Sequence, residues 1–131
     1  MLSEVEIRRI CDVVRETSFA IHKYFRYGHL EKVYENALAH RLRKAGFQVE
    51  QQWPLKVFDE DGTPVGDYFA DMVVQGFLII ELKACNSVVD DHVAQLLGYL
   101  RASRHEHGLL INFCAKTLYI KKFVLSDERF F

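Results

Sequence analysis

Residues 69–84 read Phe-Ala-Asp-Met-Val-Val-Gln-Gly-Phe-Leu-Ile-Ile-Glu-Leu-Lys-Ala. Two apolar runs flank Gln75-Gly76, a turn signal, so the stretch reads as two strands, Val65–Val74 and Phe77–Ala84, folded against each other. Three charges interrupt the runs: Asp71 in the first, Glu81 and Lys83 in the second. Side chains alternate along a strand, so Glu81 and Lys83 share one face while Ile80, Leu82 and Ala84 take the other. A lone buried charge is costly; a paired or metal-bound one is tolerated. Two arrangements meet that condition. In the first, Lys83 forms a structural ion pair with Glu81 or Asp71. In the second, Asp71 and Glu81 hold a divalent cation, which relieves the repulsion that otherwise raises one carboxyl pKa.

The turn decides whether the two acids can meet. Directly paired residues share a face. A two-residue turn at Gln75-Gly76 pairs Asp71 with Ile80 and turns its carboxylate away from Glu81. A three-residue loop, Gln75-Gly76-Phe77, pairs Asp71 with Glu81. A bulge between Ala70 and Val74 also brings them together. One of the last two is expected, and Gly76, which takes positive φ readily, favours the loop.

Outward from this hairpin, the N-terminal third is helical. Ser3 and Glu6 form a capping-box signature. Ile7, Ile10, Cys11, Val14, Ile21 and Phe25 follow at helical spacing, which predicts a helix from about Ser3 to Arg26. A second helix is predicted over about Leu30–Ala45, with Gly46 as its C-terminal cap. Phe47–Trp53 and Leu55–Phe58 read as extended, followed by a turn at Asp59-Glu60-Asp61-Gly62. After the hairpin come a helix over Val89–Ser103 and two closing strands, Gly108–Cys114 and Leu118–Leu125, around Ala115-Lys116-Thr117. The order predicts an α/β (α+β) fold, a central mixed β-sheet flanked by helices.

The chain of 131 residues suits a single domain over 1–131, with 50% apolar and 27% charged residues. Its apolar runs fall well short of the roughly 20 residues that span a bilayer, and its start is acidic rather than signal-like. A cytoplasmic protein without membrane association is the expectation. Three cysteines, Cys11, Cys85 and Cys114, are an odd count without metal-knuckle spacing, which fits reduced thiols. Charge is uneven. Residues 50–91 carry two Lys/Arg against nine Asp/Glu, while residues 1–45 carry nine against six. Residues 92–131 carry six against three. Basic flanks around an acidic middle fit a phosphate-binding rim about a cation site, but on charge alone a solvated surface is the favoured reading.

Four blocks in order carry a resemblance. Asp71 with Glu81-Leu82-Lys83 resembles the D…(D/E)-x-K signature of the PD-(D/E)XK nuclease superfamily. Gly28-His29-Leu30-Glu31-Lys32-Val33-Tyr34 matches the motif that names the GxxExxY protein family. Gly66–Asp71 and Glu81–Ala84 resemble further blocks of that family. Gln95-Leu96-Leu97-Gly98-Tyr99 matches the Q-x-x-x-Y motif of the RecB-like branch. Ala70 stands where a proline often precedes the first acid. The resemblance implies a restriction-endonuclease-like fold and a Mg²⁺- or Mn²⁺-dependent nuclease that hydrolyses phosphodiester bonds in DNA. It implies that Asp71 and Glu81 bind metal, with the Leu82 carbonyl and Glu31 as further ligands, and that Lys83 assists the attacking water. Gln95 then orients catalytic groups. Tyr99, Tyr34, Arg41 and Lys44 are the candidate nucleic-acid contacts, although Arg41 and Lys44 also fit a helix C-terminus where cations complement the dipole. The alternative is a catalytically inactive nuclease-like fold that binds nucleic acid or protein. A chain this short leaves substrate selection to a second copy, as a homodimer, or to a partner protein.

Overall fold

A computed structural model of the chain describes residues 2–114 and 116–125. Three helices and five strands follow in the order α1 (Glu4–Phe25), α2 (Glu31–Lys44), β1 (Val49–Phe58), β2 (Pro64–Val74), β3 (Leu78–Lys83), α3 (Asp90–Ser103), β4 (His107–Asn112) and β5 (Tyr119–Val124). The strands form one mixed sheet in the order β1-β2-β3-β4-β5. All neighbours are antiparallel except β3 and β4, which run parallel with α3 as their crossover. This is the α+β sheet flanked by helices that the element order predicts.

The helix signals act as expected. Ser3 Oγ accepts from the Glu6 N–H at 3.2 Å and the Glu6 carboxylate accepts from the Ser3 N–H at 3.0 Å, closing the capping box. Arg26, at φ 59°, ends α1. α1 and α2 bury Val14, Ile21, Leu38 and Leu42 against Met72, Ile80, Leu82 and Ile111 on one face of the sheet. On the other face, Leu96 and Leu100 of α3 pack on Ile79 and Leu110. The single long β1 replaces the two extended segments read from the sequence. Pro54 sits inside it, paired with Phe69, because β1 is an edge strand where a missing N–H is tolerated. In the closing hairpin, Ala115 lies outside the described residues.

Two local features position the site. The β2–β3 loop has three residues: Val74 pairs with Leu78, Val73 with Ile79 and Met72 with Ile80. Gln75 and Gly76 take φ 54° and 72° to close it. The same register carried one step further sets Asp71 against Glu81, as the loop expectation requires. The second feature is Gln52, a non-glycine residue within β1 at φ 51°. Adjacent strand side chains normally point to opposite faces, yet Gln51 and Gln52 both donate to Glu35 on α2. Beyond that flip the hairpin changes sides. Val49 packs with α1 and α2, whereas Trp53 and Leu55 pack with α3, although an even number of residues separates them.

Candidate active site

The β2–β3 ladder ends at Met72–Ile80 among the described residues, while β2 continues along β1 and β3 along β4. The two strands fork there, and each acid fills the place of the missing ladder bond. The Asp71 N–H donates to Glu81 Oε1 at 3.1 Å, and the Leu82 N–H donates to Asp71 Oδ2 at 2.8 Å. In an extended strand a residue's N–H and C=O point to the same side, so the Leu82 carbonyl also faces the fork.

Glu81 is only 3% exposed. Burial first, and the Asp71 charge second, push its carboxyl from the ordinary 4.5 up to about 9. Without a cation Glu81 therefore keeps its proton at neutral pH. Lys83 lies on the same face, and its Nζ donates to Gln95 Oε1 at 2.8 Å. Among the described residues no ion pair joins Lys83 to Asp71 or Glu81, which sets aside the structural salt bridge weighed above. Gln95 Nε2 in turn donates to the Tyr99 hydroxyl at 3.1 Å. Burial and the nearby Glu81 raise the Tyr99 pKa. Tyr99 packs against Tyr68 with ring centroids 5.3 Å apart, and both rings line a small cleft with Ala94, Gln95 and Gly98.

Glu31 approaches from the other face. It opens α2 beside the end of β3, and its carboxylate accepts from the Ala84 backbone. Partial burial and then Asp71 raise its pKa, with Lys83 opposing. Asp71, Glu81, Leu82, Lys83, Glu31, Gln95 and Tyr99 thus converge on the fork.

The remaining candidates do not. Tyr34 is fully buried. Its hydroxyl donates to the Arg26 carbonyl at 2.5 Å, and its ring stacks on Phe113 at 4.8 Å between centroids. Tyr34 is a core residue that anchors the α1–α2 loop, with no ring face left for a base. Arg41 and Lys44 sit ten and thirteen residues beyond Glu31 on α2, about 15 and 20 Å along the helix axis, well away from the fork. Helix length places them there, where their charge complements the C-terminal dipole.

Three residues that the motifs do not mark also shape the site. Glu35, 3% exposed, accepts from Lys32 Nζ at 2.9 Å, Gln51 Nε2 at 2.7 Å and Gln52 Nε2 at 3.0 Å. Gln52 Nε2 also lies 3.5 Å from Asp71 Oδ1 and so links the two carboxylates. Buried Asn112 holds the segment after Lys83 by accepting from the Cys85 N–H at 3.2 Å and donating to the Cys85 carbonyl at 2.9 Å. The polar pair Gln51-Gln52 in an otherwise extended segment is the only sequence signal for the first two.

Among the described residues no group of three or more His, Cys, Asp or Glu side chains is arranged to hold a metal ion. The fork offers a smaller set: two facing carboxyl groups, one kept protonated by burial first and by the charge of the other second, and a backbone carbonyl. Mg²⁺ is commonly held by one or two carboxylates, with water and phosphate oxygens completing its shell, so the donor chemistry fits. No helix among the described residues is long and apolar enough to cross a membrane. A family model for the PD-(D/E)XK nuclease superfamily matches residues 8–123. Neither a curated protein nor a solved structure matches the chain.

Proposed function

The chain belongs to the PD-(D/E)XK nuclease superfamily, and from that premise we propose that it is a Mg²⁺- or Mn²⁺-dependent nuclease hydrolysing phosphodiester bonds in DNA. The observation that carries this reading is the fork itself. Burial first, and the facing Asp71 carboxylate second, make Glu81 hold a proton to about pH 9, and a free ammonium stands beside the two acids, held by an amide rather than neutralised. A structural cluster would have used Lys83 to cancel that charge.

In this reading Asp71, Glu81 and the Leu82 carbonyl hold the cation, with Glu31 at the rim. The ion supplies charge neutralisation at the phosphodiester and an acidified water. Lys83 supplies an N–H that orients the attacking water through its lone pair, and positive charge for the phosphoryl oxygens as negative charge grows. Gln95 holds Lys83 in place, and Tyr99 holds Gln95. Glu35, through Gln52, fixes the Asp71 carboxylate. We assign the chain within the superfamily to the GxxExxY proteins on the Gly28–Tyr34 block, and take residues 1–131 as one cytoplasmic domain. A second copy or a partner protein would complete substrate selection.

The test is cleavage by the purified chain of single-stranded, duplex and branched DNA, with Mg²⁺, with Mn²⁺ and with EDTA. Metal-dependent cleavage lost in Lys83→Ala supports the reading. Tight DNA binding with no cleavage under any metal would replace it with the inactive binding module.

A further inference from the structure

A second surface, outside the fork, has the chemistry of a strand-binding platform. From Thr17 to Leu30 the sequence contains no Asp or Glu. Within this stretch Phe19, His22, Lys23, Arg26 and Tyr27 line, with Lys116, an open cavity of about 530 Å³. The first four lie at i, i+3, i+4 and i+7, one face of a helix and its end. Phe19 and Tyr27 are 47% and 54% exposed, and neighbouring Tyr24 is 75% exposed.

The topology sets this patch at the same end of the sheet as the fork. Parallel β3 and β4 finish side by side, with Lys83 paired to Asn112. The segment after Asn112, which carries Lys116, therefore leaves the sheet beside Lys83. Phe113 donates its N–H to the Lys83 carbonyl at 3.0 Å. Its ring stacks on Tyr34, whose hydroxyl holds the Arg26 carbonyl. One stacked ring pair thus lies between the patch and the Lys83 strand.

We propose that this surface binds the unpaired DNA strand that flanks the scissile phosphate, an inference resting on the nuclease reading above. Lys23, Arg26 and Lys116 contact phosphates, and Phe19 and Tyr27 stack bases. Exposed rings among cations suit a single strand, whose unstacked bases offer their faces. Protein–protein interfaces enrich aromatics and arginine but deplete lysine, so Lys23 and Lys116 are what favour a phosphate backbone over a protein partner, and a duplex offers no base faces to stack.

The experiment measures binding of a fluorescein-labelled 12-nucleotide oligothymidylate by fluorescence anisotropy, using the full chain in EDTA so that nothing is cut. Lys23→Ala/Arg26→Ala/Lys116→Ala should lower affinity at least about tenfold at 0.1 M salt. It should also reduce the slope of log K against log salt by about 2, since each of three phosphate contacts on a single strand contributes about 0.7. Tyr27→Ala should lower affinity about tenfold and leave the slope unchanged. Thermal melts check that each variant folds, and Lys116→Glu, outside any helix, gives an independent variant. Unchanged affinity and slope in the triple variant overturn the proposal, as does equal binding of the corresponding duplex. Tighter binding of oligouridylate overturns the assignment to DNA. Cleavage assays with wild type and Lys83→Ala report separately: patch-dependent binding without cleavage fails only the nuclease reading, and cleavage without patch-dependent binding fails only this one.

Discussion

Replacing Glu81 with Gln should stabilise the metal-free protein at alkaline pH and do little at acid pH. The Glu81 carboxyl stands at about 9 in the folded protein against 4.5 ordinarily, from burial first and Asp71 second. The unfolded chain releases this proton above 4.5, and the folded protein keeps it until about 9. Between those values the native state binds more protons, so stability falls as pH rises, by about 1.4 kcal/mol per pH unit. The contribution is complete below 4.5 and lost above about 9. From pH 5 to pH 8 the accumulated loss is about 4 kcal/mol. Gln has the same shape, keeps the oxygen that accepts the Asp71 N–H, and does not ionise. At roughly 2.1 cal/mol/K of unfolding entropy per residue, 4 kcal/mol in a chain of this length is about 14 °C in Tm. Thermal melts in EDTA at pH 5, 6, 7 and 8 should show the Glu81→Gln Tm gaining about 10–15 °C on wild type across the series. Millimolar Mg²⁺ should then raise the wild-type Tm at pH 8, by about 2.7 kcal/mol of stability at a hundredfold excess over Kd, and leave the variant unmoved. A gap between the two proteins that stays constant with pH would refute the reasoning, because the cost would then lie in packing rather than ionisation.

Lys83→Ala should lower the cleavage rate at least about a hundredfold while leaving the thermal melt and oligonucleotide binding intact, as expected of charge delivered chiefly to the transition state; undiminished cleavage would remove its assigned role. Asp71→Asn should weaken Mg²⁺ binding in isothermal calorimetry, and an unchanged Kd would take Asp71 out of the ligand set. Tyr34→Phe keeps the stack on Phe113 but loses the bond to the Arg26 carbonyl, so urea unfolding should show a loss of about 1–2 kcal/mol. Gln52→Val places a β-branched side chain at φ 51° and strips a donor from buried Glu35; a loss of at least about 2 kcal/mol is expected, and a neutral result would mean the backbone there relaxes freely.

The fold was legible because its signals are local. Ser3 and Glu6 cap α1 as their spacing says, and the apolar period gives each helix its buried face. The fork was legible through parity: once Asp71 and Glu81 had to share a face, a three-residue loop was the simplest register that allowed it, and Gly76 supplied the needed backbone. What stayed hidden was long-range. Nothing in its residue type marks Gln52 for positive φ, so the switch of faces along β1 had no local sign, and the Glu35–Gln52–Asp71 connection had none beyond the polar Gln51-Gln52 pair. Tyr34 belongs to a motif yet owes its place to Phe113, 79 positions away in the sequence. Arg41 and Lys44 were distant for a reason the sequence does contain, since thirteen residues of helix span about 20 Å.

The way the fork is bonded has a consequence for the history of such a chain. In the proposed reading Asp71 and Glu81 each do two jobs with different parts of one carboxylate: an oxygen accepts a backbone N–H, and the charge draws a cation. Asn or Gln retains the first job and loses the second. By the pH argument, Glu81→Gln also makes the metal-free protein more robust. A lineage released from selection for cutting therefore has a downhill, single-substitution path to an inert descendant with the same backbone. On the proposed reading, aligned homologues that still cut should keep carboxylates at both positions against that gain in stability, and inert ones should drift to Asn or Gln.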